Sequence, residues 1–431
     1  MNVAGVRERV RAARTDPVLV NSSLIFITTT MMAAGGAVFW VVAARLQSPE
    51  VVGVAGSLVS ASDSLALFAQ LGLNITLLQV LPKSERRAAD IASAALIVGA
   101  AGMVLALGYA LLTPITSERI HEVLDSPLAI ALFSVLVAGC ALNMLTDQIF
   151  LSINKIWSFL RLNGIFLGLA KCTLPFVLAG GGALGLYGSV GGATLACALI
   201  SIVVIFRHVP GSRRPNPSPQ LRGAKRFAGA GYLTYVLNVV PQMVLPLLVI
   251  NALGASNAAV FFISVQIVTL QNSIVFAVGN SMYSEAEKSP HERRDVVRRG
   301  GITLLVLAAG SVVVMVVMAP YFLQIFGAHY AELGTATLRM LSLSTLGVAF
   351  NYWAAVRLRI VQHLKAMIVV QLSCTTIILV LAGSLASQGT VWVATAWGVG
   401  QVIGGLVGYV VSLTVAPLRD LPLEVPVEER R

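Results

Sequence analysis

The sequence predicts an all-α integral membrane protein: twelve transmembrane helices in two six-helix lobes, related by a pseudo-twofold axis along the membrane normal, with both termini cytoplasmic. Three observations carry this expectation. Of 431 residues, 57% are hydrophobic and 11% charged, against about 25% charged in soluble domains. With a mean hydropathy of +0.84, a soluble fold has no interior able to hide so much apolar surface. The apolar residues are also gathered into twelve runs, and the basic residues lie almost entirely on one side of them.

The runs cover residues 20–45, 51–81, 88–112, 128–153, 158–180, 184–206, 228–253, 257–283, 300–323, 335–356, 366–386 and 390–415. A hydrocarbon core of ~30 Å needs about 20 helical residues, and every run is long enough. An even count returns the chain to the side where it began. Arg7, Arg9, Arg11 and Arg14 precede the first run, and that side holds 26 of the 30 Lys and Arg. The opposite side has Arg45, Arg119 and Arg339, while Lys171 stays inside a run. Basic loops remain cytoplasmic, so the chain is expected to thread the inner (plasma) membrane with both ends inside the cell. Trp40 and Trp392 are expected at the outer interface and Trp157 at the inner one. The net charge of +11 then reflects topology and contact with the lipid bilayer; no nucleic-acid partner is expected. No small-residue cleavage site follows the first run, so no cleavable leader is expected. Cys140, Cys172, Cys197 and Cys374 fall in apolar runs without metal-ligand spacing and read as small core residues.

The two halves look repeated. Glu85-Arg86-Arg87 after the second run matches Glu292-Arg293-Arg294 after the eighth, an offset of 207. The same shift lays Ala43–Gly53 on Ile250–Val260, and a shift of 208 lays Asn143 on Asn351. Six helices per half preserve orientation, which makes the repeats parallel and leaves a hydrophilic cleft between lobes. The expected division is an N-lobe at 1–206, a Pro-rich extended cytoplasmic linker at 207–227, a C-lobe at 228–416 and a cytoplasmic tail at 417–431.

Arg45-Leu46-x-x-Pro49-Glu50-x-x-Gly53 after the first run, followed by Leu71-Gly72-Leu73 in the second, resembles the polysaccharide-biosynthesis (O-antigen type) flippases. These belong to the multidrug/oligosaccharidyl-lipid/polysaccharide exporter superfamily. The resemblance implies a V-shaped twelve-helix carrier that turns a polyprenyl-linked saccharide to the outer leaflet by alternating access. It further implies a place beside envelope glycosyltransferases or a polymerase. Ala252 stands where the second half would repeat Arg45, so the motif marks one lobe only.

A carrier of this kind needs a polar route for a head group, since a charge at mid-membrane costs roughly 2.5–3.5 kcal/mol or more. Two helix interruptions at matching positions point to such a route: Gly35-Gly36 in the first run, and Pro241 with Pro246 in the seventh. These four residues are read as hinges. Tyr232, Tyr235, Asn238 and Gln242 form a polar stripe leading into the second interruption. Lys171 is too deep to reach the interface, about 20 Å from the inner end of its run. It is either a contact for a phosphate or pyrophosphate or a lysine neutralised by an acidic neighbour.

Asp63, Gln70 and Asn74 follow one helical face, and Asp63 is a candidate for proton or Na⁺ coupling or for pairing with Lys171. Asp147 is a second coupling candidate, with a salt bridge to Arg161 or Lys155 as the simpler role. Arg45 either meets a departing head group or pairs with Glu50. Gln266, Thr269, Ser273 and Asn280 offer uncharged groups for sugar hydroxyls or for bonding between helices. Gly164-x3-Gly168 and Gly400-x3-Gly404-x3-Gly408 read as close helix packing. There is no G-x4-G-K-[ST] loop, so the chain is not expected to hydrolyse ATP. No catalytic residue, cofactor or metal site is expected; Glu118, His121, Glu122 and Asp125 read as a solvated turn. The competing function is a cation-coupled multidrug or small-solute antiporter. Against it, residues 20–45 and 229–253 hold no acidic side chain. A membrane glycosyltransferase would need a larger outer loop than residues 113–127.

Overall fold

Twelve helices long and apolar enough to cross a membrane make up the computed structural model, which describes residues 17–288, 290–361 and 363–415. They are α1 (Pro17–Leu46), α2 (Pro49–Ala69), α3 (Arg87–Thr116), α4 (Pro127–Ser152), α5 (Ile156–Leu178) and α6 (Gly182–His208) in the first half. The second half has α7 (Pro219–Leu253), α8 (Ala255–Lys288), α9 (Arg293–Phe326), α10 (Ala328–Ile360), α11 (Leu364–Leu385) and α12 (Thr390–Val415). No strand occurs among the described residues. The chain divides into two compact units after Gly229.

Local chemistry sets the helix ends. Ser48 and Ser126 cap α2 and α4 by accepting from Val51 N at 3.5 Å and Ala129 N at 3.2 Å, and Pro49 and Pro127 occupy the first helical position. The missing N–H of proline costs nothing there. The family-like motif is therefore partly a helix start: Ser48 caps, Pro49 opens and Glu50 sits in the first turn, where the helix dipole favours an acid. In the second unit, Gly254 at φ +83° allows the tight turn from α7 to α8.

The interruptions lie elsewhere than expected. α1 runs unbroken through Gly35 and Gly36, and α7 runs unbroken through Pro241 and Pro246. Gly35 is a packing position, since a Cβ there would stand 3.0 Å from Gly168 Cα on α5. The helix that breaks is the second. α2 ends at Ala69, Leu71 and Gly72 take φ of +49° and +76°, and a short helix resumes over Leu73–Val80. A second irregularity is a π-helical stretch at Leu160–Phe166 inside α5, the kind of local widening found mostly at functional positions.

The linker is also shorter and more ordered than expected. α6 extends to His208 and α7 begins at Pro219. Asp90, fully buried at the start of α3, accepts from Ser218 N at 2.7 Å, Ser218 Oγ at 2.9 Å and Ser84 Oγ at 2.6 Å. One carboxylate thus fastens the end of the linker to the first unit. Trp392 and Trp157 are 46% and 57% exposed, as interface residues would be, but Trp40 is buried against Phe39 and is no part of a lipid-facing belt.

Candidate functional site

In the first unit the polar groups collect where α2, α4, α5 and α6 meet. Asp63 on α2 is exposed, and its Oδ1 accepts from Cys140 Sγ at 3.4 Å. Asn143 Nδ2 on α4 donates to Asn163 Oδ1 at 3.0 Å, and Cys197 on α6 reaches the same oxygen at 3.6 Å. Asn163 belongs to the π-helical stretch, which turns its side chain into this knot. Asp147, one turn beyond Asn143, has Asn163 beside it, yet neither Asp147 Oδ1 nor Asn163 Nδ2 makes a well-formed hydrogen bond. Asn143 Oδ1, Gln70 Oε1 and Ser201 Oγ are likewise buried without a partner. Lys171 is half-buried and interacts electrostatically with both Asp63 and Asp147, but no ion pair within 4 Å joins it to either.

Several first-unit expectations change. Asp147 forms no salt bridge with Arg161 or Lys155. Asn74 does not continue the face of Asp63 and Gln70, because the break at Leu71–Gly72 comes before it. Gln70 is buried and donates to Ala141 O at 2.8 Å, a helix-packing bond. Asn74 Oδ1 accepts from Ile75 N at 2.9 Å at the start of the resumed helix. Arg45 is exposed at the end of α1, away from this cluster in sequence.

In the second unit, α7, α8, α10, α11 and α12 enclose a pocket of about 130 Å³. Asn238, Gln242 and Pro246 line it from α7, Thr269 and Asn272 from α8, Asn351 and Tyr352 from α10, Gln371 from α11, and Trp397 and Gln401 from α12. None of its lining residues is charged. Asn238 and Gln242 are exposed, whereas Asn351 is held by Gln401 Oε1 at 2.7 Å and Asn272 Oδ1 accepts from Thr345 at 3.0 Å. Tyr235 lies outside the described side chains. Gln266 is half-buried and does not line the pocket; the lining face of α8 runs through Val265, Val268, Thr269, Asn272 and Phe276 instead. Asn272, Gln371, Trp397 and Gln401 had not been singled out. Their signal was available, as isolated amides and an aromatic in otherwise apolar helices.

No family model matches the chain, and no curated protein matches it by sequence. Solved structures do share its architecture. A lipid II flippase, MurJ, in an inward closed conformation superposes with a TM-score of 0.70 at 13% identity, over 92% of this chain and 88% of the other. An inward-facing MATE-family multidrug resistance transporter of the MOP superfamily gives 0.65 at 13% identity, over 91% and 96%. A MOP-superfamily transporter from Pyrococcus furiosus, described as having a binding pocket of reversed polarity, gives 0.61 at 15% identity, over 96% and 99%. The chain shares the fold of these structures. These neighbours are described as two transporters and a flippase. In that fold the six-helix repeat read from the Glu-Arg-Arg pair and the Asn143/Asn351 match has a structural counterpart. Both asparagines sit on the fourth helix of their unit and bond to its fifth or sixth helix, Asn143 to Asn163 and Asn351 to Gln401.

Proposed function

We propose that the chain is a secondary transporter that turns a polyprenyl-(pyro)phosphate-linked saccharide from the cytoplasmic to the outer leaflet by alternating access, in cell-envelope polysaccharide biosynthesis. The second-unit pocket carries the reading. Sugar hydroxyls both donate and accept, and the side-chain amides of Asn238, Gln242, Asn272, Gln371 and Gln401 do the same. Tyr352 and Trp397 add flat apolar faces for the ring carbons. A cationic drug would favour a carboxylate at this position, and the lining has none. The volume is below the ~300–1,000 Å³ of sites that enclose a whole ligand, so it suits one sugar edge and has to widen for more.

Lys171 supplies the positive charge that a phosphate needs, about two turns inside the C-terminal end of α5. Asp63 and Asp147 supply the coupling: two carboxylates facing one ammonium leave one negative charge for a proton or Na⁺ to balance. A transferase on the cytoplasmic side would supply this substrate, and a polymerase on the outer side would consume it.

Proteoliposomes carrying a fluorescent polyprenyl-pyrophosphate saccharide test the proposal. Wild type should expose the label to an outer-leaflet quencher, and Lys171→Ala should slow this at least about tenfold, the loss of roughly 1.4 kcal/mol. Flipping by Lys171→Ala at the wild-type rate would remove the phosphate role. Export of cationic dyes without any flipping would favour the antiporter instead.

A further inference from the structure

A second cavity of about 770 Å³ lies between the basic ends of α9 and α10 and the C-terminal part of α12, away from the amide pocket in chemistry and lining. Both α9 and α12 pack on α10, which forms the floor between them. Each helix presents one stripe to the groove. On α9 it runs Arg294, Arg298, Ile302, Leu305, on α10 Phe350, Trp353, Arg357, and on α12 Leu406, Tyr409, Leu413. These spacings of three, four and seven keep each stripe on one helix face. The stripes on α9 and α10 are basic at the same end, the one the charge bias assigns to the cytoplasm, and apolar towards mid-membrane, while α12 adds Tyr409 between two leucines.

The cations are set up differently. The Arg357 guanidinium stacks at 4.9 Å over Trp353 and 5.1 Å over Tyr409, and its Nε donates to Ser412 Oγ at 3.1 Å. Its plane is fixed while the remaining N–H groups stay available. Arg294 and Arg298 are exposed, and no hydrogen bond or ion pair engages them among the described residues. Ile302, Leu305 and Leu406 are each about half exposed, leaving an apolar trough leading away from three positive charges. No acidic side chain lines the groove.

We infer that this groove binds an anionic phospholipid of the cytoplasmic leaflet, its phosphate held by Arg294, Arg298 and Arg357 and one acyl chain lying along Ile302, Leu305 and Leu406. Charge complementarity selects the occupant. A zwitterionic lipid brings its own cation into a site that already has three, whereas an anionic one neutralises them. Planar guanidinium groups also match phosphate oxygens in pairs. The inference does not depend on what the amide pocket carries.

The full chain in nanodiscs of phosphatidylcholine, with phosphatidylglycerol added in steps, gives the test when released into the gas phase and the retained lipids are weighed. Wild type should keep phosphatidylglycerol in preference to phosphatidylcholine, and the double variant Arg294→Gln/Arg298→Gln should lose that preference roughly tenfold or more. Both side chains are exposed, so an unchanged melting temperature should accompany the loss. Leu305→Asn, which spoils only the apolar trough, should weaken retention without altering the headgroup preference. Equal retention of the two lipids by wild type would overturn the proposal, as would displacement of the bound lipid by inorganic phosphate alone. A preference that appears only after residues 416–431 are deleted would assign the groove to the chain's own C-terminal tail and would equally overturn it. Flipping by wild type in pure phosphatidylcholine vesicles is read separately, so a failure here leaves the transport proposal standing.

Discussion

The two units share a scaffold and differ in charge. In both, an asparagine on the fourth helix ties that helix to its neighbours: Asn143 to Asn163, with Cys197 joining, and Asn351 to Gln401, with Cys374 at 3.7 Å. Around the first knot sit Asp63, Asp147 and Lys171, a broken second helix and a π-helical fifth helix. Around the second lies a pocket of amides and aromatics without a charge, among helices that run unbroken. In the proposed transport cycle the first unit supplies the groups whose charge can change and the second the groups that can read hydroxyls. Irregular backbone goes with the charged copy, in line with the rule that non-helical backbone at membrane depth survives only where protein or water can satisfy it.

The comparison is broken most severely by removing the charge of Lys171. Lys171→Met keeps the side chain's length, and flipping in proteoliposomes should fall at least about tenfold while saccharide binding to the second unit persists. Close packing comes next. A Cβ at Gly405 would overlap the Phe350 ring and stand 3.0 Å from Asn351 N, so Gly405→Leu should lower stability by roughly 1–3 kcal/mol, read as a falling melting temperature in detergent. Gly36, with nothing within 4 Å of a Cβ, is the first-unit control, and Gly36→Ala should melt with wild type. Asp90→Ala should cost a similar 1.5–3 kcal/mol by leaving Ser84 and Ser218 without their acceptor. Faster proteolysis within residues 209–218 would report it. The smallest effect is expected at the two knots themselves. Asn351→Leu strands Gln401 Oε1 and should destabilise by about 0.6–1.7 kcal/mol, more than Asn143→Leu, which leaves Asn163 Oδ1 its Cys197 contact and removes an Oδ1 buried without a partner. Equal losses at the two asparagines would erase this contrast between the units.

The number of helices was legible because a membrane helix is written as an unbroken apolar run, and nothing later in folding can override that. The repeat was legible from Glu85-Arg86-Arg87 and Glu292-Arg293-Arg294, since loop signals survive where helices drift. What the sequence concealed was backbone geometry. Pro241 and Pro246 look like breaks, but a proline inside a membrane helix can be absorbed by neighbouring helices and local adjustment. Leu71 adopts positive φ, which no sequence rule expects of leucine, so the break after α2 lies hidden inside the Leu71-Gly72-Leu73 motif. Gly35 looked like a flexible point and is instead a contact with Gly168, a distinction that depends on a partner helix more than a hundred residues away. The pocket was half legible. Asn238 and Gln242 lie on one helix and show as a stripe, whereas Asn272, Gln371 and Gln401 come singly from three helices and converge only in space.

The division between a coupling unit and a recognition unit is tested most directly by measuring binding and gradient-driven flipping of one polyprenyl-pyrophosphate saccharide side by side in Asp147→Asn and Gln242→Ala. Asp147→Asn should bind the saccharide as wild type does while its flipping no longer responds to an imposed proton or Na⁺ gradient. Gln242→Ala should bind several-fold more weakly yet still respond to the gradient once the saccharide is saturating. If the two variants lose binding and gradient response together, or exchange these phenotypes, the two units do not divide the work in this way.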